Sequence, residues 1–174
     1  VSPTVIALRP TPAMVDYMPT VDAVMRVVDR AGRPVAESPP GLWRHVMALS
    51  PSGQQAVGEQ LDERTGLAWL VMVDFASGRQ APVTTGTIWS GRPVWSPDGR
   101  RLAYALQPPG RVDDLHVKDL STNVDQRVVE GLDQHAQPAA WSRDGRHLLV
   151  IRQATATRPV RLTAHSLESR APLD

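Results

Sequence analysis

The chain contains no cysteine, which excludes disulfide bridges, thiolate metal centres and a cysteine nucleophile. That absence suits a cytosolic and a Gram-negative periplasmic protein equally. Lysine is nearly missing as well: Lys118 is the only one among 19 basic residues, and the formal charge is +1 over 174 residues. So balanced a charge leaves no electrostatic footprint for nucleic acid or for an anionic membrane, and neither is expected as a partner of this segment. No apolar run approaches the roughly 20 residues needed to span a bilayer. The first ten residues also lack the charged and apolar regions of a signal peptide, and because the chain begins with Val1 it is expected to be a segment of something longer. No stretch sustains a 3.6-residue apolar period, so little or no helix is expected. Aromatics are few, yet five are Trp against two Tyr and one Phe.

What is present is a repeat. Trp95-Ser96-Pro97-Asp98-Gly99-Arg100-Arg101-Leu102-Ala103-Tyr104-Ala105 has a copy 46 residues later at Trp141-Ser142-Arg143-Asp144-Gly145-Arg146-His147-Leu148-Leu149-Val150, and a worn one 46 earlier at Leu49-Ser50-Pro51-Ser52-Gly53. Each reads as strand, tight turn, strand. Pro fixes φ, Asp accepts hydrogen bonds from the turn's own amides, and Gly takes the left-handed conformation that ends the loop. A second series, Asp29, Asp74 and Asp119, recurs at a spacing of 45 and closes a different hairpin, with a weaker copy at Thr163 to Ser169. Two hairpins make four strands per repeat.

Named a to d, one repeat is expected at 46–50, 54–60, 67–74 and 79–84. The next lies at 93–96, 101–107, 114–120 and 126–130, and the last at 139–142, 147–153 and 160–167, where strand d only begins. An earlier repeat keeps c and d, with a strand over 23–28 and a short apolar piece over 34–36. Four antiparallel strands in about 40 to 45 residues is the sequence form of a β-propeller blade, since one such sheet buries too little alone and radial stacking covers both faces. The fold class is therefore all-β, a partial β-propeller of four-stranded antiparallel blades: two complete blades plus parts of two others. Residues 1–20, which hold a short apolar run over 4–8, are expected to be a linker or the edge of an incomplete blade, and residues 21–174 the propeller segment.

The Trp95 to Tyr104 stretch and its echo at Trp141 to Val150 resemble the TolB-type, WD-like propeller repeat, which also occurs in the propellers of tricorn-type and prolyl-oligopeptidase-type peptidases. Val27 to Arg33 is similar to propellers appended to bacterial membrane-bound serine/threonine protein kinases, and Asp114 to Leu120 matches the third strand of that family. The sequence departs from the pattern at Ser52, where the family has Asp, and at Arg143, where it has Pro, so looser turns are expected there. The resemblance implies a bacterial, periplasmic or other extracytoplasmic setting and a binding role, with any catalysis in a separate domain. It covers about residues 23–167.

The residues themselves supply no catalytic set. Asp98 and Asp144 sit in repeated turns, where structure explains them. Asp113, Asp114 and Asp133 are too few for the six to eight oxygens of calcium. There is no Gly-x-Ser-x-Gly elbow, and His45, His116, His135, His147 and His165 are scattered. No phosphate-cradling glycine loop occurs, and no cofactor or metal is expected.

One pattern remains for function. The connections from strand d to the next strand a contain Trp43, Trp89 and His135, each 46 apart, with Arg44, His45, Arg92, Asp133 and Gln134 beside them. In a propeller these connections open at one end of the channel. Trp43 and Trp89 have two roles open to them: plugging the gap between adjacent blades, or anchoring a partner. Trp69, Trp95 and Trp141 are expected to pack. The leading expectation is a non-catalytic module that binds a protein or peptide partner or a small ligand. The alternative is the sensor or gating portion of a receptor kinase or a peptidase. About three blades' worth of strands cannot close a ring, so self-association to complete the propeller is a further expectation.

Overall fold

The hairpin turns set the register of everything that follows. At Ser96 the backbone N–H donates to the Arg101 carbonyl at 2.9 Å and the Gly99 N–H donates to the Ser96 carbonyl at 2.9 Å. The Asp98 carboxylate accepts from Ser96 Oγ at 2.6 Å and from the Arg100 N–H at 3.0 Å. Gly99 sits at φ +70°, which a side chain would strain. The copy at Ser142 is equally tight, with Ser142 Oγ donating to Asp144 at 2.5 Å and the Arg146 N–H at 3.0 Å. Arg143 in place of Pro therefore loosens nothing, because the Asp and Gly contacts hold the turn. In the copy at Ser50 the hydroxyl of Ser52 stands where the carboxylate would be. Its contacts lengthen to 3.1 Å with Ser50 Oγ and 3.3 Å with the Gln54 N–H.

The computed structural model describes residues 5–7, 21–85, 88–130, 135–154, 158–168 and 172–173. The chain divides into two compact units, Val1–Thr87 and Ile88–Asp174. Among the described residues there are strands and turns and no helix.

In the first unit β1 (Val5–Ala7), β3 (Arg26–Val28) and β4 (Pro34–Glu37) form a three-stranded sheet in the order β1-β3-β4. A five-stranded sheet, in the order β2-β5-β6-β7-β8, contains β2 (Val21–Ala23), β5 (Gly41–Leu49), β6 (Gln55–Leu61), β7 (Ala68–Asp74) and β8 (Gln80–Pro82). The single strand expected over 23–28 is thus two strands in two sheets. Val21↔Trp43 pairing ties β2 to β5, while Val28↔Val5 pairing ties β3 to β1. Between them Met25 is fully buried and donates its N–H to Ser38 Oγ at 2.8 Å. Continuous β-branched composition cannot show where a chain changes sheets.

The second unit carries two four-stranded sheets. The first, in the order β12-β11-β10-β9, comprises β9 (Trp89–Trp95), β10 (Arg101–Gln107), β11 (Asp114–Asp119) and β12 (Asp125–Val129). The second runs β13 (Ala136–Trp141), β14 (His147–Arg152), β15 (Arg161–Ser166) and β16 (Pro172–Leu173) in sequence order. All pairs are antiparallel. The core between them joins Ala103, Ala105, Leu115, Val117 and Val129 of one sheet to Ala136, Leu148 and Val150 of the other. Small residues face large ones, which lets the sheets approach closely. Trp141 closes this seam: its Nε1 donates to the Val94 carbonyl at 3.0 Å, and the Arg101 guanidinium lies 4.8 Å from its ring centroid. Arg101 continues on to the Gly145 carbonyl at 2.8 Å, so one arginine holds both the indole and the next turn.

The inner strands β5, β9 and β13 each begin earlier than the sequence pattern indicates. Each contains a register shift: between Trp43 and Met47, opposite Tyr104, and between Pro138 and Ala140. One extra residue in β9 and in β13, and two in β5, interrupt the regular pairing, so only the part after the shift looks like a strand.

The c-to-d turns are closed by the aspartate series. Asp119 Oδ1 accepts from the N–H groups of Ser121 and Thr122, both at 2.9 Å, and from Ser121 Oγ at 2.7 Å. The Ser121 hydroxyl and the Thr122 N–H stabilise the carboxylate and lower its pKa to about 2. Asp74 and Asp29 do the same work with Ser77 and with Ala31 and Arg33.

Candidate functional site

A cleft of about 190 Å³ opens in the second unit, lined by Trp89, Arg92, Gln107, Asp113, His135 and Gln153. Its floor is built where β9 is irregular. Ala103 pairs with Val94 and Ala105 with Gly91, so Tyr104 alone faces both Arg92 and Pro93. The strand accommodates the extra residue by placing Arg92 at φ +57°. A non-glycine residue there costs on the order of 1 kcal/mol or more, and such strain collects at functional positions.

The wall of the cleft is polar. His135 Nδ1 lies 3.0 Å from Asp113 Oδ2, with the aspartate side chain only 5% exposed and the histidine 44% exposed. The His135 carbonyl accepts the Gln153 N–H at 2.9 Å, which anchors the start of β13 against the end of β14. Trp89 is half-buried and packs against the core of the unit. An arginine, a buried carboxylate shared with an imidazole, two amides and an indole edge therefore surround one small volume. That set can hold charge and hydrogen-bond a polar chain. None of the six lining residues is a serine, threonine or cysteine that could act as a nucleophile.

Of the sequence candidates, Trp89, Arg92 and His135 meet in this cleft. Trp43 does not belong to a loop or to a binding surface: it lies in β5, is 1% exposed and packs with Met25, Ala56, Val71 and Val73. Its position in strand rather than loop follows from the early start of β5, and Trp89 lies in β9 for the same reason. Arg44 is half-buried in β5, and of His45 only the backbone within β5 is described. Asp133 and Gln134 lie outside the described residues. Gln107 and Gln153 are not among the sequence candidates, and Asp113 enters there only as a carboxylate weighed for calcium. Gln107 and Gln153 stand 46 apart at the ends of equivalent strands, so the repeat itself carried that signal. Asp113 has no counterpart in the period and only folding brings it to His135.

A larger groove of about 300 Å³ lies beside β11 and β12, lined by Arg101, Val117, Asp119, Thr122, Val124, Gln126, Val128 and Leu167. Within it Arg101 donates to the Gly145 carbonyl and Asp119 accepts from its own turn. Among the described residues no three or more His, Asp or Glu side chains gather as a metal site would require, and no helix is long and apolar enough to cross a membrane.

Comparison with known proteins places this architecture. No family model matches the chain. A probable dipeptidyl-peptidase 5 of Arthroderma benhamiae is 33% identical over 73 residues, covering 39% of this chain and 10% of that protein. An uncharacterized peptidase, YuxL, of Bacillus subtilis is 28% identical over 107 residues, 58% of this chain and 16% of that protein. The chain thus spans about a tenth to a sixth of the curated relatives it matches. Among solved structures, a TolB of Agrobacterium tumefaciens superposes with a TM-score of 0.67 at 17% identity, over 87% of this chain and 56% of that one. A prolyl endopeptidase gives 0.64 at 18% identity, over 86% and 24%, and the tricorn protease 0.62 at 13%, over 94% and 17%. With four-stranded antiparallel sheets stacked through a repeated Trp and Asp-Gly turn, the chain has the fold of a partial β-propeller of the TolB type, the type shared by the propellers of these peptidases.

Proposed function

We infer that this chain is a non-catalytic binding module whose cleft in the second unit takes a segment of a protein or peptide. The observation that carries the reading is Arg92, held in a strained left-handed conformation in an inner strand while lining the same cleft as the His135–Asp113 pair. Arg92 suits a carboxylate on the ligand, Gln107 and Gln153 suit its backbone amides, and Trp89 offers apolar area. The cleft is small, so it fits one or two residues of a chain rather than a whole folded surface.

A second reading has its own observation. The matched curated proteins are peptidases, and this chain covers only a small part of them, which supports a propeller that gates or positions substrate for catalysis housed elsewhere. Both readings make the propeller a binder, and they differ in what is attached to it.

The test is to pan a phage-displayed peptide library on the immobilised chain and to measure the enriched peptide by calorimetry. Binding should weaken by about tenfold or more, roughly 1.4 kcal/mol, in Arg92→Gly and in His135→Ala. It should be unchanged in Val124→Ser, which alters an exposed turn away from the cleft. Equal binding by Arg92→Gly and His135→Ala, or no enrichment at all, defeats the assignment of the cleft. Turnover of a dipeptidyl chromogenic substrate by the isolated chain defeats its non-catalytic role.

A further inference from the structure

Stacking covers the faces of these sheets but not their outer edges, so an outer strand stays an edge however many sheets a ring contains. Such an edge presents unpaired N–H and C=O groups to any approaching strand, and folded proteins blunt it with proline, short length or projecting charge. Three of the four outer strands follow that rule. β4 begins with Pro34, β8 ends with Pro82 and β16 begins with Pro172, and each proline sits in a paired position, opposite Val28, Val71 and His165. A proline has no N–H to offer a further strand. β12 departs from the rule: Asp125-Gln126-Arg127-Val128-Val129 holds no proline and, at 5 residues, exceeds the 4 of β4 and the 3 of β8.

Its two charges do not guard it either. Asp125 accepts from Tyr104 Oη and lies 3.0 Å from His116 Nδ1, and Arg127 Nη1 lies 3.4 Å from Asp114 Oδ2 and 3.5 Å from Glu130 Oε1. Both charges are balanced by neighbours, and neither stands alone to repel an approaching strand. The hairpin register then shows which backbone groups face outward. The Asp119 N–H donates to the Val124 carbonyl at 2.8 Å, and the pairs Val117↔Gln126, Lys118↔Asp125 and His116↔Arg127 follow. Alternation turns the backbone groups of Val124 and Gln126 toward β11 and the N–H and C=O of Asp125 and Arg127 away from it. Among the described residues no strand pairs on that side.

Beside this edge runs the groove of about 300 Å³, whose apolar lining is Val117, Val124, Val128 and Leu167, with Gln126 among them. Val124 is 51% exposed. We propose that β12 is a docking edge for an extended segment of another protein, which adds a fifth strand to this sheet. The segment pairs its backbone with the N–H and C=O of Asp125 and Arg127, and the side chains it places beside Val124, Gln126 and Val128 enter the groove. The chemistry asked of it is Val, Ile or Leu at alternate positions and no proline at those that pair. A second copy of the chain is a poorer occupant. A two-fold pairing of β12 with itself centres on Asp125, Gln126 or Arg127, so like charges or two amides meet where the groove calls for an apolar side chain. The edge shares no lining residue with the cleft of Trp89, Arg92 and His135 and does not depend on what that cleft binds.

The probe is a phage-displayed library of heptapeptides with Val, Ile or Leu at alternate positions, panned on the full chain, and the enriched peptide is then synthesised and titrated. Its binding should slow amide hydrogen exchange at Asp125 and Arg127 by about tenfold or more. Val124→Asp should raise the dissociation constant by about tenfold or more, and Arg92→Gly should leave it unchanged. A second measurement needs no protein variant. N-methylation of the peptide amides that face β12 should weaken binding by about tenfold or more, whereas N-methylation of the intervening amides should change it little, because only one edge of the added strand is paired. Failure to enrich any peptide overturns the proposal, as does binding that leaves exchange at Asp125 and Arg127 unaltered. Equal sensitivity to the two N-methylated sets overturns the strand pairing. A dimer of the chain alone in sedimentation velocity that Val124→Asp dissolves gives the edge to a second copy and overturns the foreign segment.

Discussion

Replacing Tyr104 by Phe isolates one hydrogen bond without opening a cavity. The ring is 1% exposed and the Phe ring fills the same space, so packing is held constant. What is lost is the donation from Tyr104 Oη to Asp125 Oδ2, in a cluster where His116 Nδ1 stands 3.0 Å from Asp125 Oδ1 and its ring centroid 5.7 Å from that of Tyr104. The cluster ties β10, β11 and β12 together. A hydrogen bond to a charged group contributes about 1.5–3 kcal/mol. Asp125 is 34% exposed, so water screens and partly replaces the bond, and the lower end applies.

The expected loss at neutral pH is about 1.5 kcal/mol, read as a fall of roughly 3–6 °C in the unfolding midpoint for a chain of this size. The pH dependence gives the sharper check. Burial raises the pKa of Asp125, but hydrogen bonds from His116 and Tyr104 outweigh it and leave the carboxyl below its usual range. A depressed carboxyl contributes stability above the unfolded value, about 4, that is lost as pH falls through the folded value. The gap between parent and variant should therefore be full at pH 6 to 8 and shrink as pH falls below about 4. Burial, and then the bond to Asp125, raise the pKa of the Tyr104 phenol. That stability is present below the unfolded value, about 10, and fades as pH rises past it, so the gap should narrow again in strong alkali. Denaturant unfolding of both proteins from acid to alkaline pH measures this. A gap smaller than about 0.5 kcal/mol, or one that does not vary with pH, refutes the role assigned to the Tyr104–Asp125 bond.

Two further substitutions probe the turns that set the register. Gly145→Ala and Gly110→Ala both impose a side chain at φ +70°, but only at Gly145 would the new Cβ meet another group, Arg101 Nη2 at 3.1 Å. Gly110→Ala should cost about 1 kcal/mol from backbone strain alone, and Gly145→Ala measurably more because the Arg101 guanidinium that bonds to the Gly145 carbonyl must also give way to the new Cβ; equal losses in denaturant unfolding would deny Arg101 its part in the seam. Ser52→Asp restores the acceptor that the other two turns possess, and it should stabilise the first unit by about 0.5–1 kcal/mol in the same assay. A neutral or destabilising result would show that the longer contacts of Ser52 are already sufficient.

Much of the architecture was legible in local chemistry. A Pro-Asp-Gly or Arg-Asp-Gly turn needs only its own atoms to form, which is why Ser96 to Arg101 and Ser142 to His147 close as the sequence predicts and why β10 begins and ends where expected. The aspartate series behaves likewise, since each carboxylate bonds to amides within four residues of itself. The period of 46 then determined that sheets recur, because a turn repeated in register repeats the strands on either side of it.

Tertiary structure decided what depends on partners distant in sequence. Whether residues 21–28 make one strand or two rests on which neighbours they pair with, and β5 lies downstream while β1 lies upstream. Trp43 and Trp89 hold the same place in the repeat, yet the first is buried in a core and the second lines a cleft, because the side chains packed around each differ. Asp113 reaches His135 across 22 positions, a pairing outside the period and invisible to it. The sequence by itself thus specified the turns, the strand segments beside them and the all-β propeller class, interactions that act over a few residues or recur at a fixed spacing. The cleft and the burial of each tryptophan were settled only when long-range packing chose which surfaces to cover.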